Sequence, residues 1–308
     1  MEEKALRLSA VFLMILTAVS FVLLPKLPAL HTWEVEAREE RIAEEEFAQS
    51  QVTMQNLKIK EQNEAAGAKG ELSIRLPEGV TGDQIAVSSD YVTQTIRVEI
   101  PQADRTYFDS YPVLGNSDYI DGLSYTRQGE TGVIEVTTNR VYELQTEYDA
   151  QNFYFNFLTP HEVYDKVVVI DAGHGGRAVG ANKQGINEKD IDLAIVLKLK
   201  EIFDNSDQNI GVYYTRTDDS NPTFDQRVQL ANKSDADLFI SIHNNSTRSG
   251  RMSGTSGTQV MYDETSEVSR QFAQICLEEV TGRIGSRDKG LVEGDSIYII
   301  RPSEGPVA

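Results

Sequence analysis

Cysteine is almost missing from this chain: Cys276 is the only one in 308 residues, so no intrachain disulfide can form. Its neighbours, residues 268–280, have a helical pattern in which it reads as a small buried hydrophobe. Basic residues are scarce against acidic ones, 29 Lys and Arg to 48 Asp and Glu, and the net charge of −19 argues against nucleic-acid binding through phosphate neutralisation. Histidine occurs only four times, at His31, His161, His174 and His243, so an imidazole-based site has few places to form. No His-Glu-x-x-His helix is present, which argues against a zinc peptidase of that type. Long hydrophobic runs are confined to residues 8–24, seventeen residues without a charge. That length can just span a bilayer core or form the centre of a signal peptide. Residues 25–30 offer no clear small-x-small cleavage site, so residues 1–30 are expected to be an uncleaved signal anchor, with a secreted protein as the alternative.

The rest divides by composition. Residues 31–70 are dense in Glu and Gln, with sparse apolar positions such as Val35, Ile42 and Phe47, and read as an acidic, solvated helical stalk ending at a hinge marked by Gly67 and Gly70. The heptads are too irregular to favour a coiled coil. Residues 71–160 change to short alternating stretches separated by turns such as Gly115-Asn116 and Asp121-Gly122, the pattern of a small, mostly β domain. From residue 165 onward strands alternate with helical patterns: strands at 167–171, 211–215 and 238–243, helices at 188–204, 224–233 and 265–282. This order predicts an α/β domain with an open, mostly parallel sheet and helices on both faces.

Two of the four histidines fall at matching places in that domain. The apolar run 167–170 leads through Asp171 and Gly173 to His174, and the run 238–242 leads to His243, followed by Asn244 and Asn245. In open α/β sheets ligands bind outside the carboxyl ends of the strands, and a histidine pair there suggests a metal. Glu188 follows the candidate N-cap Asn187 and would begin its helix on the same side. Two imidazoles and one carboxylate make a three-ligand zinc site with a fourth position open. Each residue also has a plainer reading: a histidine after a strand commonly serves a turn, and a glutamate in a first helical turn commonly faces the macrodipole.

The combined motifs resemble the catalytic domain of zinc-dependent N-acetylmuramoyl-L-alanine amidases, the amidase-3 family. The blocks are Asp-Ala-Gly-His-Gly-Gly at 171–176, Gly-x-x-Glu-Lys-Asp at 185–190, Tyr-Thr-Arg at 214–216 with Asp218, then Arg227 with Ala231 and Asn232, and Ser-Ile-His-Asn-Asn at 241–245. The resemblance implies Zn2+ held by His174, Glu188 and His243, in a catalytic domain spanning 165–308. It implies cleavage of the amide between N-acetylmuramic acid and L-alanine in peptidoglycan, the catalytic unit lying on the outer face of the cell membrane. Asp171 is expected to orient His174 or its turn, and Asn245 either to contact substrate or to cap the turn. Arg216 and Arg227 are expected to hold loops. The family's general-base glutamate would fall just beyond Ala308, so the chain reads as incomplete at its C-terminus and its catalytic base is unassigned; a zinc-containing wall-binding or regulatory protein without hydrolytic activity is the alternative. Residues 71–160 resemble wall-targeting AMIN-type modules only by position, and a spacer or autoinhibitory role fits equally well. A protein regulator is conceivable for an anchored hydrolase, but no motif identifies one.

Overall fold

In a computed structural model the chain is described at residues 29–61, 69–244, 254, 256–294, 297–300 and 307–308. The expected membrane segment at 8–24 and Asn245 lie outside these residues; among the described helices none is long and apolar enough to cross a membrane. Two compact units form, one from residues 51–165 and the other from the N-terminal segment to residue 50 together with 166–308.

The described residues begin with helix α1, Ala29–Ser50. The expected stalk is thus helical but stops at Ser50: residues 51–61 already belong to the β unit, whose boundary lies some twenty residues before the expected one. Nor is α1 free in solvent. Its side chains contact His174, Arg177, Asn221 and Phe224 of its own unit.

The unit 51–165 is a sandwich of two five-stranded sheets. One has the order β1 (Gln55–Asn56), β7 (Ile120–Gln128), β8 (Thr131–Thr138), β5 (Thr95–Pro101) and β4 (Ala86–Asp90). The other runs β2 (Lys60–Glu61), β6 (Leu114–Gly115), β3 (Leu72–Arg75), β10 (Asn152–Leu158) and β9 (Glu143–Tyr148). Alternation is clear in β5 and β10: Ile96, Val98 and Ile100 of the first and Phe153, Phe155 and Phe157 of the second point into one shared core. Two short helices, α2 (Arg105–Ser110) and α3 (Pro160–Val163), complete the unit.

The second unit is α/β, as the alternating pattern predicts. Strand β11 (Lys166–Ala172) is central and pairs in parallel with β14 (Ile210–Tyr214) on one side and β15 (Leu238–Ile242) on the other. Between β11 and β14 lie a hairpin, β12 (Asn182–Lys183) with β13 (Ile186–Asn187), and helix α4 (Glu188–Asp204); between β14 and β15 lies α5 (Phe224–Lys233). A separate parallel pair, β16 (Thr258–Tyr262) and β17 (Asp288–Glu293), flanks helix α6 (Glu267–Ile284).

Residues 167–170 are completely buried because the strand is covered on both sides. Val168, Ile170 and Ala172 pack with Ile195, Val196 and Leu199 of α4 and with Phe272, Cys276 and Val280 of α6. Val167 and Val169 point the other way, and α5, with Val228, Leu230 and Ala231 buried, contacts β11 as well. Cys276 is buried and unpaired, as its helical context predicts. Val307 bridges Phe239 in parallel, with Ala308 N donating to Phe239 O and accepting at its own carbonyl from Ser241 N, so these two residues extend the sheet past β15.

Candidate metal centre

The sheet brings the two histidines together because β11 and β15 are neighbours in register, Ala172 opposite Ile242, so the chain leaves both strands at one level. His174 follows on a turn that forces its backbone into the left-handed region, φ 58°, which a non-glycine residue adopts only when its surroundings hold it there. Those surroundings are two buried arginines. Arg227 donates to the carbonyls of Ala172 and His174, and Arg216 to those of Ala172, Gly173 and Lys189. Both arginines therefore hold loops, as expected from the sequence. Lys189 adds a bond to Gly176 O while pairing with Asp219.

Asp171 anchors this frame rather than the histidine. Its carboxylate accepts from Arg227 Nη1 at 2.5 Å, from Thr215 at 2.6 Å and from Ser241 at 2.6 Å. Burial would raise its pKa, but the Arg227 guanidinium and the two hydroxyls more than offset that and hold it down at about 2. Of the two expected roles for Asp171, holding the turn is the one its contacts serve.

Glu188 reaches the site by a different device. Gln184 and Gly185 both have positive φ, 55° and 80°, the two-residue turn that suits a tight hairpin between β12 and β13. The hairpin delivers Asn187 as N-cap and Glu188 as the first residue of α4. Its carboxylate then accepts from the backbone N–H groups of Ala181 and Asn244, both at 2.7 Å. Burial pushes the Glu188 carboxyl up, and hydrogen bonds with the two histidines more than reverse this, leaving it well below the usual range.

At the centre three atoms face one another. His174 Nε2 lies 3.2 Å from His243 Nδ1, and Glu188 Oε1 lies 3.3 Å from each nitrogen. Zinc bonds to nitrogen and oxygen of about 2.0–2.1 Å imply a tetrahedral edge of about 3.3–3.4 Å, so this triangle matches one face of such a tetrahedron. Asp192, one turn along α4, is the fourth member of the cluster: one ligand atom from it and one from each of the other three lie within 4.8 Å of one another. One of its oxygens accepts from Asn244 Nδ2 at 2.6 Å while the other is buried without a partner, and burial pushes its pKa up to about 7. Asp192 and Asn244 were not singled out by the sequence reading; their only signal is the i, i+4 spacing of Asp192 from Glu188 and the adjacency of Asn244 to His243.

Burial would lower the pKa of His174, but hydrogen bonds to Glu188 and Glu39 raise it to about 10.

Gly173 leaves room for this meeting. A Cβ there would lie 2.6 Å from His243 Nδ1 and Nε2, and the His243 side chain, 43% exposed, is the group free to yield. Gly173→Ala is expected to weaken Zn2+ binding by at least about tenfold while the melting temperature of the zinc-free protein stays near that of the parent; competition with a chelating dye and thermal denaturation measure the two effects.

The family Amidase_3, described as N-acetylmuramoyl-L-alanine amidase, matches residues 168–308. Over 123 residues the chain is 33% identical to the N-acetylmuramoyl-L-alanine amidase CwlM of Bacillus licheniformis, covering 40% of this chain and 47% of that protein. This chain belongs to the amidase-3 family. It is also 37% identical over 147 residues to the uncharacterized protein YqiI of Bacillus subtilis, covering 46% of this chain and 66% of YqiI. The chain thus spans about half to two thirds of the length of these curated relatives. The catalytic domain of the amidase CwlV from Bacillus (Paenibacillus) polymyxa var. colistinus is 34% identical, with 46% of this chain and 76% of that one covered and a TM-score of 0.42. The amidase-3 match begins inside β11 and takes in His174, Glu188 and His243, while the β unit lies outside it.

Proposed function

We propose that this amidase-3 chain is a zinc-dependent peptidoglycan hydrolase that cleaves the amide between N-acetylmuramic acid and the L-alanine of the stem peptide. The observation that carries the reading is the triangle of His174 Nε2, His243 Nδ1 and Glu188 Oε1, whose edges of 3.2–3.3 Å suit one tetrahedral ion. His174, Glu188 and His243 would hold Zn2+, which when bound polarises a scissile carbonyl and lowers the pKa of water toward about 7. The donor set is the hard and borderline one that zinc takes in catalytic sites, with three protein ligands and one position left for water or substrate.

The surrounding residues perform the positioning. Ala181 N–H and Asn244 N–H fix both oxygens of Glu188, so its carboxylate cannot rotate away from the imidazoles. Arg216 and Arg227 fix the turn that carries His174. His243 is the exposed member of the set and marks the side from which a polymeric substrate approaches.

Three further assignments complete the reading. Residues 8–24 anchor the protein in the cytoplasmic membrane with the catalytic unit on its outer face, where peptidoglycan lies. The β sandwich is a wall-targeting or spacer module. A protein regulator is compatible with an anchored hydrolase.

Muropeptide analysis tests the central assignment. Peptidoglycan treated with zinc-loaded protein from the whole reading frame should release stem peptides bearing a free L-alanine amino terminus, with glycan strands intact. Cleavage within the peptides instead would point to a peptidase.

A further inference from the structure

Helix α1 lies over the metal centre and reaches it with a carboxylate. Glu39 Oε2 is 3.1 Å from His174 Nδ1, the ring nitrogen that faces away from Glu188 and His243. Both side chains are shielded, 19% exposed for Glu39 and 11% for His174. Among the described residues Glu39 is the only partner of that nitrogen.

The helix is held there by more than this contact. Glu40 accepts from the Phe224 N–H, the first residue of α5, at 2.6 Å, and that helix start is a natural seat for a carboxylate. Glu46 accepts from Arg177 N–H at 3.0 Å, from Arg177 Nε at 3.1 Å and from Asn221 Nδ2 at 2.9 Å, while Glu45 pairs with Arg177 Nη2 at 3.1 Å. Ala43, on the same helix, is 2% exposed. Residues 36, 39, 40, 43 and 46 follow the three- and four-residue spacing of one helical face. Close approach also needs Gly176, where a Cβ would lie 2.5 Å from Glu46 Oε2.

We propose that Glu39 is a positioning residue of the metal centre: its carboxylate accepts the Nδ1 proton of His174 and so presents the Nε2 lone pair toward the metal. A neutral imidazole carries one proton on one nitrogen, and an ionised carboxylate only accepts, so a hydrogen bond between them settles which nitrogen is the donor. Metal-ligating histidines commonly use a carboxylate in this way, and its loss costs 10- to 100-fold in affinity or activity. Here the carboxylate comes from an N-terminal helix some 135 residues away in sequence, which makes α1 part of the metal centre. The inference rests on the zinc reading of the site but is tested without hydrolysis.

The test measures Zn2+ affinity by chelator competition in the full chain carrying Glu39→Ala or Glu39→Gln. Glu39→Ala should bind Zn2+ about 10- to 100-fold more weakly, and Glu39→Gln, whose amide oxygen can still accept from Nδ1–H, should recover most of that loss. In the zinc-loaded parent, nitrogen-15 spectra should show a slowly exchanging Nδ1–H on His174 that exchanges fast in Glu39→Ala. A thermal melt of zinc-free Glu39→Ala close to the parent's separates these effects from unfolding. Unchanged Zn2+ affinity in Glu39→Ala would overturn the proposal, and with an accompanying rise in hydrolysis it would make α1 an obstructing strap instead. Failure of peptidoglycan cleavage with the affinity pattern intact would count against the amidase reading and leave the role of Glu39 standing.

Discussion

His174→Ala is expected to abolish stoichiometric zinc and, in protein from the whole reading frame, to reduce peptidoglycan hydrolysis to background. His174 Nε2 is one of three atoms that lie 3.2–3.3 Å from one another, and two remaining donors cannot hold an ion in competition with water as three do. The loss of affinity should therefore exceed the roughly 10- to 100-fold that removal of an outer partner costs. Metal analysis of purified protein reads the effect directly. Lys198→Ala, on the exposed face of α4, serves as a control that keeps its metal. Zinc bound at one ion per chain in His174→Ala would remove His174 from the ligand set.

The second large effect belongs to the frame beneath the site. Asp171 and Arg227 are 1% and 2% exposed and face each other at 2.5 Å. Asp171→Asn leaves the Arg227 charge buried without its counter-ion, and breaking such a pair costs about 3–5 kcal/mol. The catalytic unit should then melt roughly 6–20 °C lower, measured on zinc-free protein so that metal binding does not mask the loss. A pH series adds a signed check. The folded-state pKa of Asp171, about 2, lies below its ordinary 3.8. Its contribution is therefore complete above pH 3.8 and disappears as pH falls through 2, a change on the order of 2 kcal/mol. Asp171→Asn should lack that acid-range component, and an identical pH profile in the two proteins would show that the carboxylate is not ionised by its partners.

Much of the catalytic unit was legible in the sequence because its elements carry local signals. Helix 224–233 begins at a Thr-x-x-Gln capping box, and Thr223 indeed accepts from Gln226 N–H. Helix 188–204 follows an N-cap asparagine, and the buried run before His174 marks a covered parallel strand. His174, Glu188 and His243 meet because parallel neighbours end at one level, which the order of elements implies. What was hidden has a physical reason. Helix α1 looked like a solvated stalk because apolar periodicity is the usual mark of a docked face, whereas this one docks through Glu39, Glu40 and Glu46, leaving Val35 and Phe47 partly in water. A carboxylate 135 positions from its partner leaves no trace in spacing. The partition of the β strands into two sheets was equally hidden, since alternation reveals which face of a strand is buried but not which neighbour it pairs with.

The most direct test of the central claim is mass spectrometry of the products formed when zinc-loaded protein from the whole reading frame is incubated with purified peptidoglycan. The account predicts stem peptides with a new L-alanine amino terminus, uncut glycan, and no release after the zinc is chelated. Protein that holds one zinc per chain yet frees no such peptide, or frees only fragments cut inside the peptide or the glycan, would contradict it.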